Sequence, residues 1–280
     1  MAGTGDVSVS VSTPAAKRLV KKWSRRLFAT GGRLSGRGRR SGEQGAVRIL
    51  TYHRIASDPE DPFAVSPEDF RRQMDLLAEG GRVLPLNAAL EVRGREAGRD
   101  SIVLTFDDGT VDFVEAALPV LRERRLPATL YAIPARVGTP GFVTWRDLER
   151  LAATGIQVGS HSLDHVSLGK LPRDEVRRQV SVSRSVLEER LGIRIDSLAY
   201  PFGTLRDFGS IVKEEARVAG YRTACTSING LNGTGVDPFE LRRTKIEQGD
   251  APIFGWILSG CLDGWALVDR YLSALQNRYA

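Results

Sequence analysis

The sequence predicts an α/β fold carried on a parallel sheet. Short apolar, β-branched runs alternate with longer stretches of helical periodicity from residue 47 onward, which is the pattern of repeated βα units. Three of those runs end in chemistry-bearing side chains, His53, Asp107 and His161. In barrels built from such units the chemistry gathers at the C-terminal strand ends. At 280 residues the chain is long enough for one large barrel-like domain or two small ones.

Composition narrows the class. Cys225 and Cys261 are the only cysteines, so there is no disulfide framework and no cysteine-based zinc motif, and two reduced thiols are expected. No stretch approaches the ~20 apolar residues of a membrane-spanning helix. The net charge of +6 is unevenly placed: ten Lys or Arg against Asp6 and Glu43 fall in residues 1–46, and the remainder balances at −2. The basicity therefore lies outside the globular part, which argues against a nucleic-acid partner.

Residues 1–45 are expected to be a basic, disordered N-terminal segment, and 46–280 the domain. Within the segment, Leu19, Val20, Trp23, Leu27 and Phe28 recur at near-helical spacing among six cations between Lys17 and Ala29. A basic amphipathic helix at an anionic membrane surface through residues 17–40 is the competing expectation. Ser24-Arg25-Arg26-Leu27-Phe28 looks like a twin-arginine export signal, but Ala29-Thr30-Gly31-Gly32-Arg33 follows instead of an apolar stretch. A cytoplasmic location, or a peripheral one at the inner membrane face, is therefore expected.

The first strand is read over 47–53 and delivers His53. Asp58-Pro59-Glu60-Asp61-Pro62 makes a loop. Ser66 then caps a helix with Pro67 at its first position, burying Phe70, Met74, Leu76 and Leu77 and ending at Gly80-Gly81. The run Ile102–Leu104 leads into Thr105-Phe106-Asp107-Asp108-Gly109. A helix from Val111 to Arg125 follows, then a strand over 128–133 and a helix over 145–153 capped by Thr144. Gly155 precedes the strand that carries His161. A long charged helix spans 172–191 and stops at Gly192. The strand Ser197–Tyr200 runs into Pro201-Phe202-Gly203, and Leu241–Ile246 makes a last strand before a packing helix over 264–279.

Two adjacent carboxylates at a strand end repel unless a cation or a proton lies between them. A turn reading of Asp-Asp-Gly competes on equal terms. The chain has only three histidines, and His161 and His165 stand four apart. Two imidazoles and a carboxylate make a three-ligand metal site with open positions.

Thr105-Phe106-Asp107-Asp108-Gly109 together with His161-Ser162-x-x-His165 resembles the first two motifs of the polysaccharide deacetylases. This is carbohydrate esterase family 4, which shares the NodB homology domain, and the resemblance covers roughly residues 47 to 260. It implies a distorted, incomplete (β/α) barrel. It also implies Asp108, His161 and His165 as ligands of a divalent metal, often zinc (with cobalt, nickel or iron as alternatives), and Asp107 as catalytic base. A Tyr-His-x-Ile start running to a Ser-Pro-Glu-x-Phe helix resembles the circularly permuted, exopolysaccharide-associated branch. There a histidine of the first strand is the catalytic acid, which implies His53.

The family's third motif is Arg-x-Pro-Tyr-Gly, and this chain has Ala199 at the Arg and Phe202 at the Tyr. A backbone N–H donor to the oxyanion survives at Phe202. The missing Arg leaves the base without its usual orienting partner, and Arg243 is a candidate substitute. The implied activity is metal-dependent removal of N-acetyl groups from an amino-sugar polymer or lipid-linked precursor. O-deacetylation on the same site, a non-catalytic carbohydrate-binding relative, and a basic-tailed adaptor at a membrane are the rival readings.

Overall fold

Seven strands pair side by side, all in parallel, in the order β8-β7-β6-β5-β4-β1-β9. They are β1 (Val47–Tyr52), β4 (Ser101–Phe106), β5 (Thr129–Ala132), β6 (Gln157–Ser160), β7 (Ser197–Ala199), β8 (Thr223–Cys225) and β9 (Arg243–Lys245). Two short strands, β2 (Arg54–Ile55) and β3 (Ala64–Val65), pair separately beside the end of β1. The structure is a computed structural model. It describes residues 14–34, 45–80, 82–95 and 100–270, with the side chains of the first helix described from Lys22 onward.

The two edges of the large sheet nearly meet. A parallel bridge joins Cys225 to Leu241, just ahead of β9, and the Thr226 N–H donates to the Leu241 carbonyl at 2.8 Å. The result is an almost closed barrel, as the resemblance implies, built from the parallel pairing that the strand–helix alternation predicts. Side chains alternate across each strand, so the core divides in two. Val47, Ile49, Val103, Tyr131, Ala199 and Cys225 fill the inside. Leu50, Tyr52, Leu104, Phe106, Leu130 and Leu198 point outward under the helices. Every residue of β1 is buried, as the apolar run requires of a strand covered on both faces.

The helices are α1 (Pro14–Leu34), α2 (Pro67–Gly80), α3 (Leu86–Val92), α4 (Leu118–Glu123), α5 (Trp145–Ala153), α6 (Arg173–Leu191), α7 (Ser210–Val218) and α8 (Phe254–Leu258). Ser66 caps α2 by accepting the Asp69 N–H at 3.1 Å. Phe70, Met74 and Leu77 are buried, but Leu76 is 46% exposed. The expectation for Leu76 is corrected: it stands well over 90° around the helix from the Phe70–Met74–Leu77 row. Thr144 and Asp147 form a reciprocal capping box on α5. Gly192 ends α6 in the left-handed conformation, as a glycine in that place does.

The helix expected over Val111–Arg125 is two pieces, a π turn at Phe113–Ala117 and then α4. Pro119 sits at the start of α4. It has no N–H for the carbonyl one turn back, so the regular ladder cannot run through it. Of the tail, 266–270 is helical and 271–280 lies outside the described residues, so that expectation is met only in its first part.

The larger correction concerns the N-terminal segment. Pro14–Leu34 is a 21-residue helix, not an unstructured leader, and its described part is docked on the barrel. Arg25, Ala29 and Gly32 stand at i, i+4 and i+7 and are buried. The Arg25 guanidinium, 2% exposed, meets Asp250 at 2.7 Å and the Lys245 carbonyl at 2.9 Å. A Cβ at Gly32 would lie 2.3 Å from the Cys261 carbonyl oxygen, so only glycine lets the two backbones approach this closely. Phe28 meets Trp265 edge-to-face, with ring centroids 5.6 Å apart. Residues 1–13 and 35–44 lie outside the described residues. Among the described residues no single helix is long and apolar enough to cross a membrane.

Candidate active site

Strand alternation places the site. Thr51 and Thr105 face into the barrel, their hydroxyls 2.9 Å apart. Two residues on from each, across the strand ends, come His53 and Asp107. His161 likewise follows the inward Gly159 by two. A Cβ at Gly159 would lie 2.5 Å from the Tyr131 ring, so this glycine makes room for that ring inside the barrel. All seven residues singled out from the sequence (His53, Asp107, Asp108, His161, His165, Phe202 and Arg243) belong to this one constellation. A cavity of about 450 Å³ opens at the opposite ends of the strands, between Thr129, Gln157, Ser197 and Thr223, and includes none of them.

Arg243 approaches from below. It begins β9, in register with Ile49, and is fully buried. Its two terminal nitrogens donate to the two oxygens of Asp107, each at 2.7 Å. Its Nε donates to the Thr226 carbonyl at 2.7 Å. Burial disfavours the Asp107 carboxylate, but the facing Arg243 outweighs it and holds the carboxyl below its usual range. The planar fork matches a carboxylate and fixes its plane as well as its charge.

Asp108 turns the other way. It adopts φ +70°, which sends its side chain away from that of Asp107 and toward the histidines. Its Oδ1 is 3.4 Å from His161 Nε2 and 3.2 Å from His165 Nε2. That oxygen is buried without a hydrogen-bond donor. His161 Nδ1 lies 2.7 Å from the Ala199 carbonyl oxygen. Because a carbonyl only accepts, this contact puts the ring proton on Nδ1 and leaves the Nε2 lone pair directed at Asp108. Three ligand atoms from Asp108, His161 and His165 lie within 4.8 Å of one another. A carboxylate oxygen facing two imidazole nitrogens, with the His161 lone pair directed at it, is a donor set that fits a divalent cation.

The loop that carries the histidines is pinned by α6. Buried Gln179 accepts the N–H groups of Leu163 and Asp164, both at 3.1 Å, and its amide donates to the Asp164 carboxylate at 2.8 Å. Ser162, His165 and Phe202 also have positive φ, at +61°, +60° and +61°. Each such residue costs roughly 1–2 kcal/mol. Four of the five non-glycine residues of this kind among the described residues lie here, so strain is concentrated where the side chains converge.

His53 stands opposite. Its Nε2 is 3.9 Å from Asp107 Oδ2 and its side chain is 18% exposed. Its Nδ1 is buried without a partner. Burial lowers its pKa, opposed by Asp107 and Asp108. Its ring packs on Phe63, 5.0 Å between centroids. Phe202 is 55% exposed and lies 5.0 Å from the His165 ring. Sequence reasoning missed Phe63, Gln179 and the Ala199 and Thr226 carbonyls. The carbonyls leave no mark in a residue pattern. Gln179 reads as one more polar residue of a charged helix, and nothing in the Asp58–Pro62 loop marks the phenylalanine that follows it.

The chain matches the family described as Polysaccharide deacetylase over residues 94–224, a span holding both the Asp-Asp and the His-x-x-x-His motifs. IcaB from Ammonifex degensii superposes with a TM-score of 0.66 at 26% identity, over 76% of this chain and 97% of that one. Over residues 94–224, just under half of its length, the chain is similar to the polysaccharide deacetylases.

Other relatives agree. Streptococcus pyogenes deacetylase PplD, solved in complex with acetate, shares the fold at a TM-score of 0.70 and 23% identity, over 77% of this chain and 97% of that one. The peptidoglycan-N-acetylglucosamine deacetylase PgdA of Listeria monocytogenes is 31% identical over 160 residues, which are 56% of this chain and 33% of that protein. The chain thus matches about a third of the Listeria enzyme's length. A polysaccharide deacetylase is a hydrolase, and the buried carboxylate beside a cation-ready donor set suits that class. His53 and Arg243 lie outside the span 94–224. They reach the site because β1 and β9, the first and last strands in the chain, pair with each other beside β4.

Proposed function

We propose that this chain is a polysaccharide deacetylase, a metal-dependent hydrolase that removes N-acetyl groups from an amino-sugar polymer or its lipid-linked precursor, in the making of an exopolysaccharide or cell-surface polymer. The observation that carries the reading is the division of the Asp-Asp pair. One carboxylate is clamped by Arg243 and faces His53, while the other faces two imidazole nitrogens.

Asp108, His161 and His165 would hold the cation, zinc being the first choice for this ligand set and cobalt, nickel or iron alternatives. When bound, it supplies Lewis-acid polarisation of the acetyl carbonyl and acidifies water. The chain's own groups do the rest. Asp107, kept ionised and in one plane by Arg243, takes the proton of the attacking water. Each of its oxygens still has a free lone pair after the Arg243 bonds. The Phe202 N–H, set in a left-handed turn, donates to the developing oxyanion. His53 gives its proton to the departing amine, and its place beside Asp107 lets the proton taken at one group be returned at the other.

The leaving group supplies the test. An amine leaves only when protonated, whereas the alkoxide of an O-acetyl ester leaves far more readily. Acetate release from N-acetylglucosamine oligomers and from an O-acetylated sugar should be compared for wild type and His53→Ala. The proposal expects release from the N-acetyl substrate and a loss of roughly 10²–10⁴-fold on it in the variant. Equal losses on both substrates would remove His53 from the acid role, and release from the O-acetyl substrate alone would make the enzyme an esterase.

A further inference from the structure

The docked helix α1 has an outer face that the fold does not use. Arg25, Ala29 and Gly32 turn inward. At about 100° per residue, Trp23, Leu27 and Leu34 fall on the opposite side of the helix, all within about 20° of its outermost line. Their side chains are 61%, 69% and 83% exposed. A surface helix ordinarily turns charge outward and keeps one apolar stripe for the core. Here the stripe against the body is built from an ion pair and small residues with Phe28 at its edge, and the other large apolar side chains, Trp23, Leu27 and Leu34, face out.

Cations flank that row along one side. Lys22, Arg26 and Arg33 follow helical spacing roughly 60–100° around from the docked face. Arg26 rests one nitrogen on the Gly249 carbonyl at 3.0 Å and Arg33 lies over the Trp256 ring, which holds both at the margin between the barrel and the row. Residues 1–46 carry a balance of +8 while the rest of the chain is at −2. A protein partner for an apolar row needs only shape. A row of Trp and Leu edged by Lys and Arg, on an otherwise slightly acidic molecule, is complementary to a surface both apolar and anionic. We propose that α1 lies in the headgroup layer of an anionic lipid bilayer, with Trp23, Leu27 and Leu34 entering it and the flanking cations meeting lipid phosphates.

The docking contacts give this a further consequence. Arg25 is held by Asp250 and by the Lys245 carbonyl, and Lys245 ends the strand that begins with Arg243. The helix is therefore fastened to the segment leaving the site-bearing end of the barrel, and a bilayer held by α1 stays within reach of the molecule that does the chemistry.

Full-length protein should be sedimented with vesicles of phosphatidylcholine alone and with vesicles containing phosphatidylglycerol, alongside Trp23→Ser/Leu27→Ser. Both substituted side chains are exposed, and a retained circular dichroism spectrum and melting temperature confirm that the variant folds. The expected result is binding to the anionic vesicles only, weakened at least tenfold in the variant and by raised salt, with acetate release from a soluble substrate unchanged. Equal vesicle binding by wild type and variant would overturn the proposal. So would a wild type that binds neither vesicle, including the case where light scattering shows a dimer that the variant dissolves, since the row would then be an interface between two copies.

Discussion

Arg243 and Asp107 are worth most to each other because both are buried, with little bulk water to screen either charge. Removing one partner of a buried pair leaves the other charge uncompensated, at a cost of about 3–5 kcal/mol. Arg243→Ala should therefore lose stability in a urea titration as well as turnover. Arg243→Lys should recover part of the stability but little of the turnover, because an ammonium does not fix the carboxylate plane. If Arg243→Ala turned over at the wild-type rate, the orienting role would be lost. The Asp-Asp motif and the histidine pair were legible in the sequence, since each is a matter of residue type and spacing, and the replaced third-motif arginine was legible only through the resemblance to the deacetylases. That Arg243 fills the gap was legible only as a candidate. Its side chain comes from a strand 136 residues away, and only barrel closure brings it there. The Ala199 carbonyl that sets the His161 tautomer was not legible, because any residue supplies a carbonyl.

Among the elements, β6 is constrained at Gly159 by what lies beside it. Gly159→Ala would drive a methyl into the Tyr131 ring and to 3.0 Å from the Ser197 carbonyl oxygen. Overpacking of this kind costs about 1–3 kcal/mol, and the expected lowering of the melting temperature should come with reduced metal affinity, because His161 follows two residues on. On the surface, Thr144→Ala removes one half of the α5 capping box and should cost about 1 kcal/mol, with turnover unchanged. The boundaries of α5 and α6 could be read closely because their stop and start signals are local. The π turn before α4 was missed because Pro119 was overlooked inside an otherwise apolar-periodic stretch.

At the scale of the whole molecule, the sequence read as a tail and a domain, and the structure joins them. A charge excess and small polar residues are the usual marks of an unpartnered segment. Arg25 carries the same charge as its neighbours, and nothing local says that Asp250 is waiting 225 residues later. Asp250→Ala should strand a buried guanidinium and destabilise the protein by about 3–5 kcal/mol, with protease sensitivity appearing in α1 first. The central claim is a division of labour between the two adjacent aspartates. It is tested most directly by measuring bound zinc and acetate release together, on wild type and on Asp107→Asn, with Asp108→Ala as the metal-free reference. The account predicts about one equivalent of metal in wild type and in Asp107→Asn, acetate release by wild type alone, and no metal in Asp108→Ala. Full turnover by Asp107→Asn, or full metal binding by Asp108→Ala, would contradict it.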